Sequence, residues 1–207
     1  KIDETMKYYR SGFYTMDGQI LYVSRSGFTG ELGFEIYTLG EKTDHNALWD
    51  FIFEIGKKYG LEFSSTRSIT IRRIEAGILG NLTDMDITMT PFEAGLGKFV
   101  DLEKKYFVGK KKLMSADKRT LLFGFKCNNF IPSAGSKIYQ DDNFVGIITA
   151  GVDSPTLKCG IGFVRFLSPG DWVNKELKII HPNKTEGFGS VVELPFFDKE
   201  KKLLLGK

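Results

Sequence analysis

Between Ser24 and Tyr37 the chain reads SRSGFTGELGFEIY, and the residue there with the most chemistry to offer is Glu35. Phe34 and Ile36 flank it, so in an extended strand the carboxylate points away from both apolar neighbours, and Tyr37 shares its side. A carboxylate accepts without donating and can take two parallel donors at once, in charge-assisted bonds roughly twice as strong as neutral ones. Gly27, Gly30 and Gly33 permit close backbone approach, and Phe28 can pack against a planar ligand. On spacing alone a solvated Glu35 is the commoner outcome, and Phe28 and Tyr37 read equally well as core or edge aromatics.

Other chemistries find little support. The two cysteines, Cys127 and Cys159, have no paired spacing, and with only two histidines, His45 and His181, neither a disulfide framework nor a zinc site is expected. No P-loop, dinucleotide fingerprint or Ser-His-Asp order occurs. The net charge of +3, from 29 basic and 26 acidic residues, describes a mixed surface. The lysine runs Lys104-Lys105, Lys110 to Lys112 and Lys199 with Lys201-Lys202 lack interleaved aromatics, so a nucleic-acid partner is not expected. No apolar run is long enough to cross a bilayer, and the opening KIDETMKYYR is charged and amphipathic rather than a signal sequence. A soluble, cytoplasmic protein without a membrane partner or a metal is expected.

Elements that must position Glu35 follow from the pattern. GFYTMDGQILYVSRS predicts a hairpin about Asp17-Gly18, and GFEIYT a further strand. TDHNALWDFIFEIGKKYG predicts a helix with an apolar stripe of Leu48, Phe51, Ile52, Ile55 and Tyr59, capped by Thr43 or Asp44 and stopped at Gly60. TRSITIRRIEAGIL predicts a second helix from Ser64 or Ser65, in which Arg72 can pair with Glu75 and Arg73 and Glu75 are buried or half-buried braces. A short helix is expected from Lys110 to Ala116. After Thr120 the pattern becomes TLLFGFKC, SKIYQ, FVGIITAG, CGIGFVRF, ELKIIH and GSVVELPFF, short strands that predict a small antiparallel barrel or sandwich. The expected class is α+β, with a domain boundary between residues 1–118 and 119–207.

Read together, SRSGFTGELGFEIY, RRIEAGIL, TPFEAGLGKFV, FVGKKKL, VGIITAGVDSPTL and VVELPFF resemble, in this order, the T-protein of the glycine cleavage system and its relatives. These are tetrahydrofolate-dependent aminomethyl and methyl transferases, and the resemblance covers essentially the whole chain. T-proteins usually read Tyr-Thr-Gly-Glu-Asp-Gly where this chain has Phe28 to Gly33. They carry an Arg-Asp pair where it has Ile69 and Thr70. IRRIE and PFE are similar to the branch that includes dimethylsulfoniopropionate demethylase.

The resemblance implies that residues 1–118 are the C-terminal part of a folate-binding aminomethyltransferase domain and 119–207 its β-barrel domain. It implies that Glu35 binds the pterin of tetrahydrofolate, that Phe28 and Tyr37 line the same pocket, and that Arg67 stands near the missing arginine, a surface position on the helix's first turn being the alternative. The family's catalytic aspartate would precede Lys1, so the chain is expected to be a C-terminal fragment whose N-terminal half or complementary chain is a partner. A small methyl or aminomethyl donor, or a lipoyl carrier protein, is implied as the other partner. Ile69 in place of arginine favours a sulfonium or N-methyl donor. Two other readings stand beside this one. Folate-binding relatives implicated in iron–sulfur protein maturation carry Lys-Gly-Cys-Tyr-x-Gly-Gln, a stretch not found here, and an interaction module would bind no small ligand.

Overall fold

At the Asp17-Gly18 turn both residues have positive φ, 48° and 71°, the values a two-residue hairpin needs to match the twist of its strands. The computed structural model describes residues 6–205, so the KIDET of the opening segment lies outside the described residues. β1 (Ser11–Met16) and β2 (Gln19–Ser24) pair across the turn, and β3 (Glu35–Tyr37) pairs with the other side of β2, all antiparallel. Alternation sorts the side chains. Leu21 and Val23 are fully buried on one face, while the register places Phe13, Ile20, Tyr22, Glu35 and Tyr37 on the other.

α1 (His45–Lys57) starts where expected, with the Asp44 carboxylate accepting from the Ala47 N–H at 3.0 Å. Its apolar stripe is covered only in part. Leu48 is buried and Phe51 and Ile52 half-buried, but Ile55, Tyr59 beyond the helix and the neighbouring Trp49 are exposed. α2 (Thr66–Glu75) begins at Ser65, whose carbonyl accepts from Ser68 N at 3.1 Å. It ends in a Schellman turn: Gly77, at φ 67°, donates to Ile74 O, and Ile78 N donates to Arg73 O. A Cβ at position 77 would also stand 3.0 Å from Pro195 Cα, so glycine answers two constraints there.

The last turn of α2 carries two arginines and Glu75. Arg72 pairs with Glu75 at 2.9 Å, as the spacing predicts, and Arg73 reaches the buried Asp84 at 2.7 Å. Asp84 Oδ2 also accepts from Gly80 N, and Oδ1 from Thr149 Oγ1, both at 2.7 Å. Glu75 Oε1 accepts from Ser154 Oγ and Thr156 N, and Oε2 from Thr156 Oγ1. Further along, TPFE forms a capping box, with Thr90 N donating to Glu93 Oε2 at 2.7 Å and Glu93 N to Thr90 Oγ1 at 3.2 Å. α3 (Lys110–Ser115) follows, and α4 (Lys202–Leu205) closes the described chain.

The six strands expected after Thr120 form a closed antiparallel barrel. They are β4 (Leu122–Cys127), β5 (Lys137–Gln140), β6 (Asn143–Ser154), β7 (Cys159–Phe166), β8 (Glu176–Ile180) and β9 (Glu186–Val192), in the order β4-β7-β6-β5-β8-β9. The class is therefore α+β. One core cluster gathers Phe125, Ile148, Val164 and Phe166, with Phe166 stacked on Trp172 at 4.1 Å. A second gathers Ile161 and Phe163 of β7 against Ile74. GSVVELPFF was expected as one strand, but pairing stops at Val192, and Leu194 and Phe196 turn into the second cluster instead. The chain forms two compact units, one running to Ile69 and including the segment from Glu200, the other Thr70–Lys199.

Two outcomes follow. Replacing Asp84 by Ala removes the carboxylate that balances the buried Arg73 guanidinium, 9% exposed, and should cost about 3–5 kcal/mol in urea denaturation. The same change at Asp117, whose partner Arg119 is 69% exposed, should leave the curve unmoved. Burial raises the Cys127 thiol from its ordinary 9.0 to about 12, and the charge of Cys159 adds to the effect. The folded chain keeps a proton that the unfolded chain loses above 9.0, so stability is intact below that pH and falls as pH climbs toward about 12. Urea midpoints should drop across this window, and Cys127→Ala should make the drop shallower.

Candidate functional site

Three strands bring one aromatic from each into a row on the open face of the first sheet. Register pairs Phe13 with Tyr22 and Tyr22 with Tyr37, and the ring centroids lie 5.1 and 6.0 Å apart. Ser11 Oγ meets Tyr22 Oη at 2.6 Å, which fixes the middle ring. At the β3 end of this row stands Glu35, half-buried, opposite Ser24 in the register.

The Glu35 carboxylate is held from one side only. Tyr37 Oη donates to Oε2 at 3.0 Å, and Ser26 Oγ donates to the same oxygen while lying 2.8 Å from Ser24 Oγ. Oε1 makes no hydrogen bond among the described residues. The bond to Glu35 favours the protonated phenol and raises Tyr37 above its ordinary pKa. Tyr8 is raised as well, first by burial, then by Tyr9, with the charge of Glu35 a smaller contribution. An oriented carboxylate with one open oxygen beside a row of rings is suited to a planar ligand that presents a donor at its edge.

Of the four residues singled out in the sequence, the structure brings Glu35 and Tyr37 together. Phe28 lies in the loop between β2 and β3 and is 42% exposed. Arg67 is exposed in the first turn of α2, and no hydrogen bond or ion pair joins it to Glu35 among the described residues. Ile69 is exposed too. Ser26 and Tyr22 were not singled out. Ser24 and Ser26 share a parity that a strand continued past Ser24 would turn to one side, but only the register between β2 and β3 shows that this side meets Glu35.

The histidines are less isolated than the sequence suggests. His181 Nε2 lies 2.6 Å from Ser133 Oγ, while Nδ1 accepts from Asn183 N at 3.3 Å. With Nδ1 an acceptor, Nε2 carries the hydrogen and donates to the serine, so the ring cannot take the serine's proton. Among the described residues no cluster of three or more His, Cys, Asp or Glu is placed to hold a metal ion, and no helix is long and apolar enough to cross a membrane.

Residues 2–104 match the family described as the GCVT N-terminal domain. An aminomethyltransferase of Alkaliphilus oremlandii is 39% identical over 168 residues, 78% of this chain and 45% of that protein. One from Caldanaerobacter subterraneus subsp. tengcongensis is 38% identical over 186 residues, 87% of this chain and 48% of that protein. The crystal structure of glycine cleavage system aminomethyltransferase T from Bartonella henselae is similar with a TM-score of 0.78 at 25% identity, over 94% of this chain and 54% of that one. The chain spans about half the length of the curated relatives it matches.

If Glu35 sets the Tyr37 phenol as described, Glu35→Gln removes the charge that opposes its ionisation. The Tyr37 pKa should then fall back toward its ordinary value, read from the ring carbon shift in an NMR pH titration. An unmoved titration would separate the two side chains.

Proposed function

We propose, because the chain belongs to the glycine cleavage T-protein family, that it is part of a tetrahydrofolate-dependent one-carbon transferase in which Glu35 receives the pterin ring. The observation that carries this reading is the one-sided hold on Glu35. Ser26 and Tyr37 fix Oε2, and Oε1 is left to accept from a ligand. The pterin edge offers an exocyclic amine and a ring N–H: Oε1 takes one of them, and the other reaches Oε2 in place of Ser26 or Tyr37. Tyr37 orients the carboxylate, and Tyr22 supplies an adjacent apolar ring face. Phe28 and Arg67, both exposed, complete the proposed set of contacts.

Tetrahydrofolate supplies the nucleophilic nitrogen that takes up the one-carbon unit. The protein's task is then to hold donor and acceptor in line, and such positioning can supply roughly 7–11 kcal/mol of a barrier. The relatives carry the name aminomethyltransferase, which weighs toward an aminomethyl donor and against the sulfonium or N-methyl donor that Ile69 alone favours. A lipoyl carrier protein is the proposed bearer of that donor. The division between folate-binding part and barrel is placed at 118/119, and the location in the cytoplasm. Groups that act on the donor are assigned to the part of the fold this chain does not span.

Two outcomes test this. The 207-residue chain alone should transfer no one-carbon unit to tetrahydrofolate, and turnover by it would show that the rest of the fold is dispensable. In the complete enzyme, Glu35→Gln should lower folate affinity by about 1.5–3 kcal/mol, measured by calorimetric titration. Unchanged affinity would return Glu35 to the surface.

A further inference from the structure

Ser26 and Tyr37 both donate to Glu35 Oε2, and a ligand with two parallel donors needs that oxygen as well as Oε1. One of the two has to give way, and they differ in what else is within their reach. The bond to Oε2, at 3.0 Å, is the one hydrogen bond that Tyr37 Oη makes among the described residues. Its phenol hydrogen stays near the plane of the ring, whereas a serine hydroxyl turns to suit its partner. Ser26 has a second partner in place. Its Oγ lies 2.8 Å from Ser24 Oγ, and Ser24 stands opposite Glu35 in the β2-β3 register. A hydroxyl owns one hydrogen and two lone pairs. With the Ser26 hydrogen on Glu35, Ser24 is the donor in the serine contact, and the lone pairs of Ser24 Oγ take no hydrogen bond among the described residues.

We infer that ligand binding reverses this contact: the Ser26 hydrogen swings from Glu35 Oε2 to Ser24 Oγ, Oε2 opens to the ligand's second donor, and Ser24 is a positioning residue for a ligand it need not touch. The inference rests on the pterin reading of Glu35 and deepens it. Only hydrogens turn. The 2.8 Å separation serves with either serine as donor, so the strands keep their register, and Tyr37 keeps the carboxylate aimed throughout. Ser24 is half-buried on the open face of the sheet, so its own hydrogen turns to water and is not stranded in the core. Before binding, donation from Ser24 polarises Ser26 and firms its hold on Oε2. The exchange gives up a charge-assisted bond at Oε2 for a neutral one between serines, and only a donor arriving at Oε2 makes good the difference. A ligand with a single donor fills Oε1 and does not drive the switch. The serine pair thereby favours ligands whose edge carries two parallel donors.

The test is a double-mutant cycle in the complete enzyme, with tetrahydrofolate affinity read by calorimetric titration. Ser24→Ala removes the acceptor that receives the displaced hydrogen and should weaken binding about tenfold, the order of one polar hydrogen left without a partner. Ser26→Ala removes the hydrogen that occupies Oε2 and should leave affinity within about threefold of the parent. In the Ser26→Ala background, Ser24→Ala should then bring no further loss. Ser24→Thr keeps a hydroxyl at this position and should restore the parent affinity. Ser24→Ala without effect overturns the inference in favour of Tyr37 as the group displaced. A loss that Ser24→Thr does not restore, or that persists in full without Ser26, overturns it in favour of packing around Ser24. Glu35→Gln separates the two levels: unchanged affinity there removes the pterin reading and the switch together, whereas a weakened Glu35→Gln beside either of those serine outcomes removes the switch alone.

Discussion

Two carboxylates shut away from water, Glu75 at 1% and Asp84 at 0% exposure, set the terms for the unit that contains the barrel. A buried charge is tolerable only with close partners and hydrogen bonds to its remaining lone pairs. Each oxygen of both groups has them, from Arg72, Arg73, the Gly80 amide, Thr149, Ser154 and Thr156. Because those donors sit on the end of α2 and the segment that follows it, on β6 and on the turn after β6, the helix end is tied to the barrel at several points at once. The rest follows. Ile74 enters the cluster on Phe163, Gly77 passes against Pro195, and Phe197 N finds Glu75 O at 3.0 Å.

Much of this fold is written locally. Asp17-Gly18 announces a hairpin because few residues accept two positive φ values, and Asp44 announces a helix because its carboxylate can close the first turn. Barrel strands are legible from alternation between turn residues. What escapes is what depends on distant partners. Arg73 reads as a brace, but its acceptor lies in the aperiodic stretch after Gly80, and the acceptor's own donor Thr149 is 65 residues further on. The stripe of α1 shows which side is apolar and says nothing of what covers it, so Ile55 and Tyr59 stay exposed. At the site, Glu35 and Tyr37 are paired by parity alone, whereas Ser26 and Tyr22 enter through cross-strand register.

Glu35 and Glu75 show how one residue type takes different roles according to its supply of donors. Around Glu75 hydroxyls, an amide and a guanidinium engage both oxygens, and the group becomes part of the scaffold. Around Glu35 the donors converge on Oε2 and stop. An acceptor left half engaged yet fixed in direction is preorganised, and a ligand need not repay its ordering. Membership of the T-protein family is consistent with that difference, since the motif around Glu35 and the motif around Glu75 both belong to the resemblance while only one of them leaves room for a small molecule.

The two tryptophans fall one in each compact unit and in opposite surroundings: Trp49 is 52% exposed, and Trp172 is buried against Phe166 with ring planes 2° apart. Indole emission shifts to shorter wavelength when water is excluded and is quenched by dissolved solutes only where they can reach it. The chain therefore carries a built-in pair of optical reporters. The red, quencher-accessible component follows the unit with the open sheet, the blue and protected one follows the barrel, and a difference between their unfolding curves would reveal whether the two units melt as one.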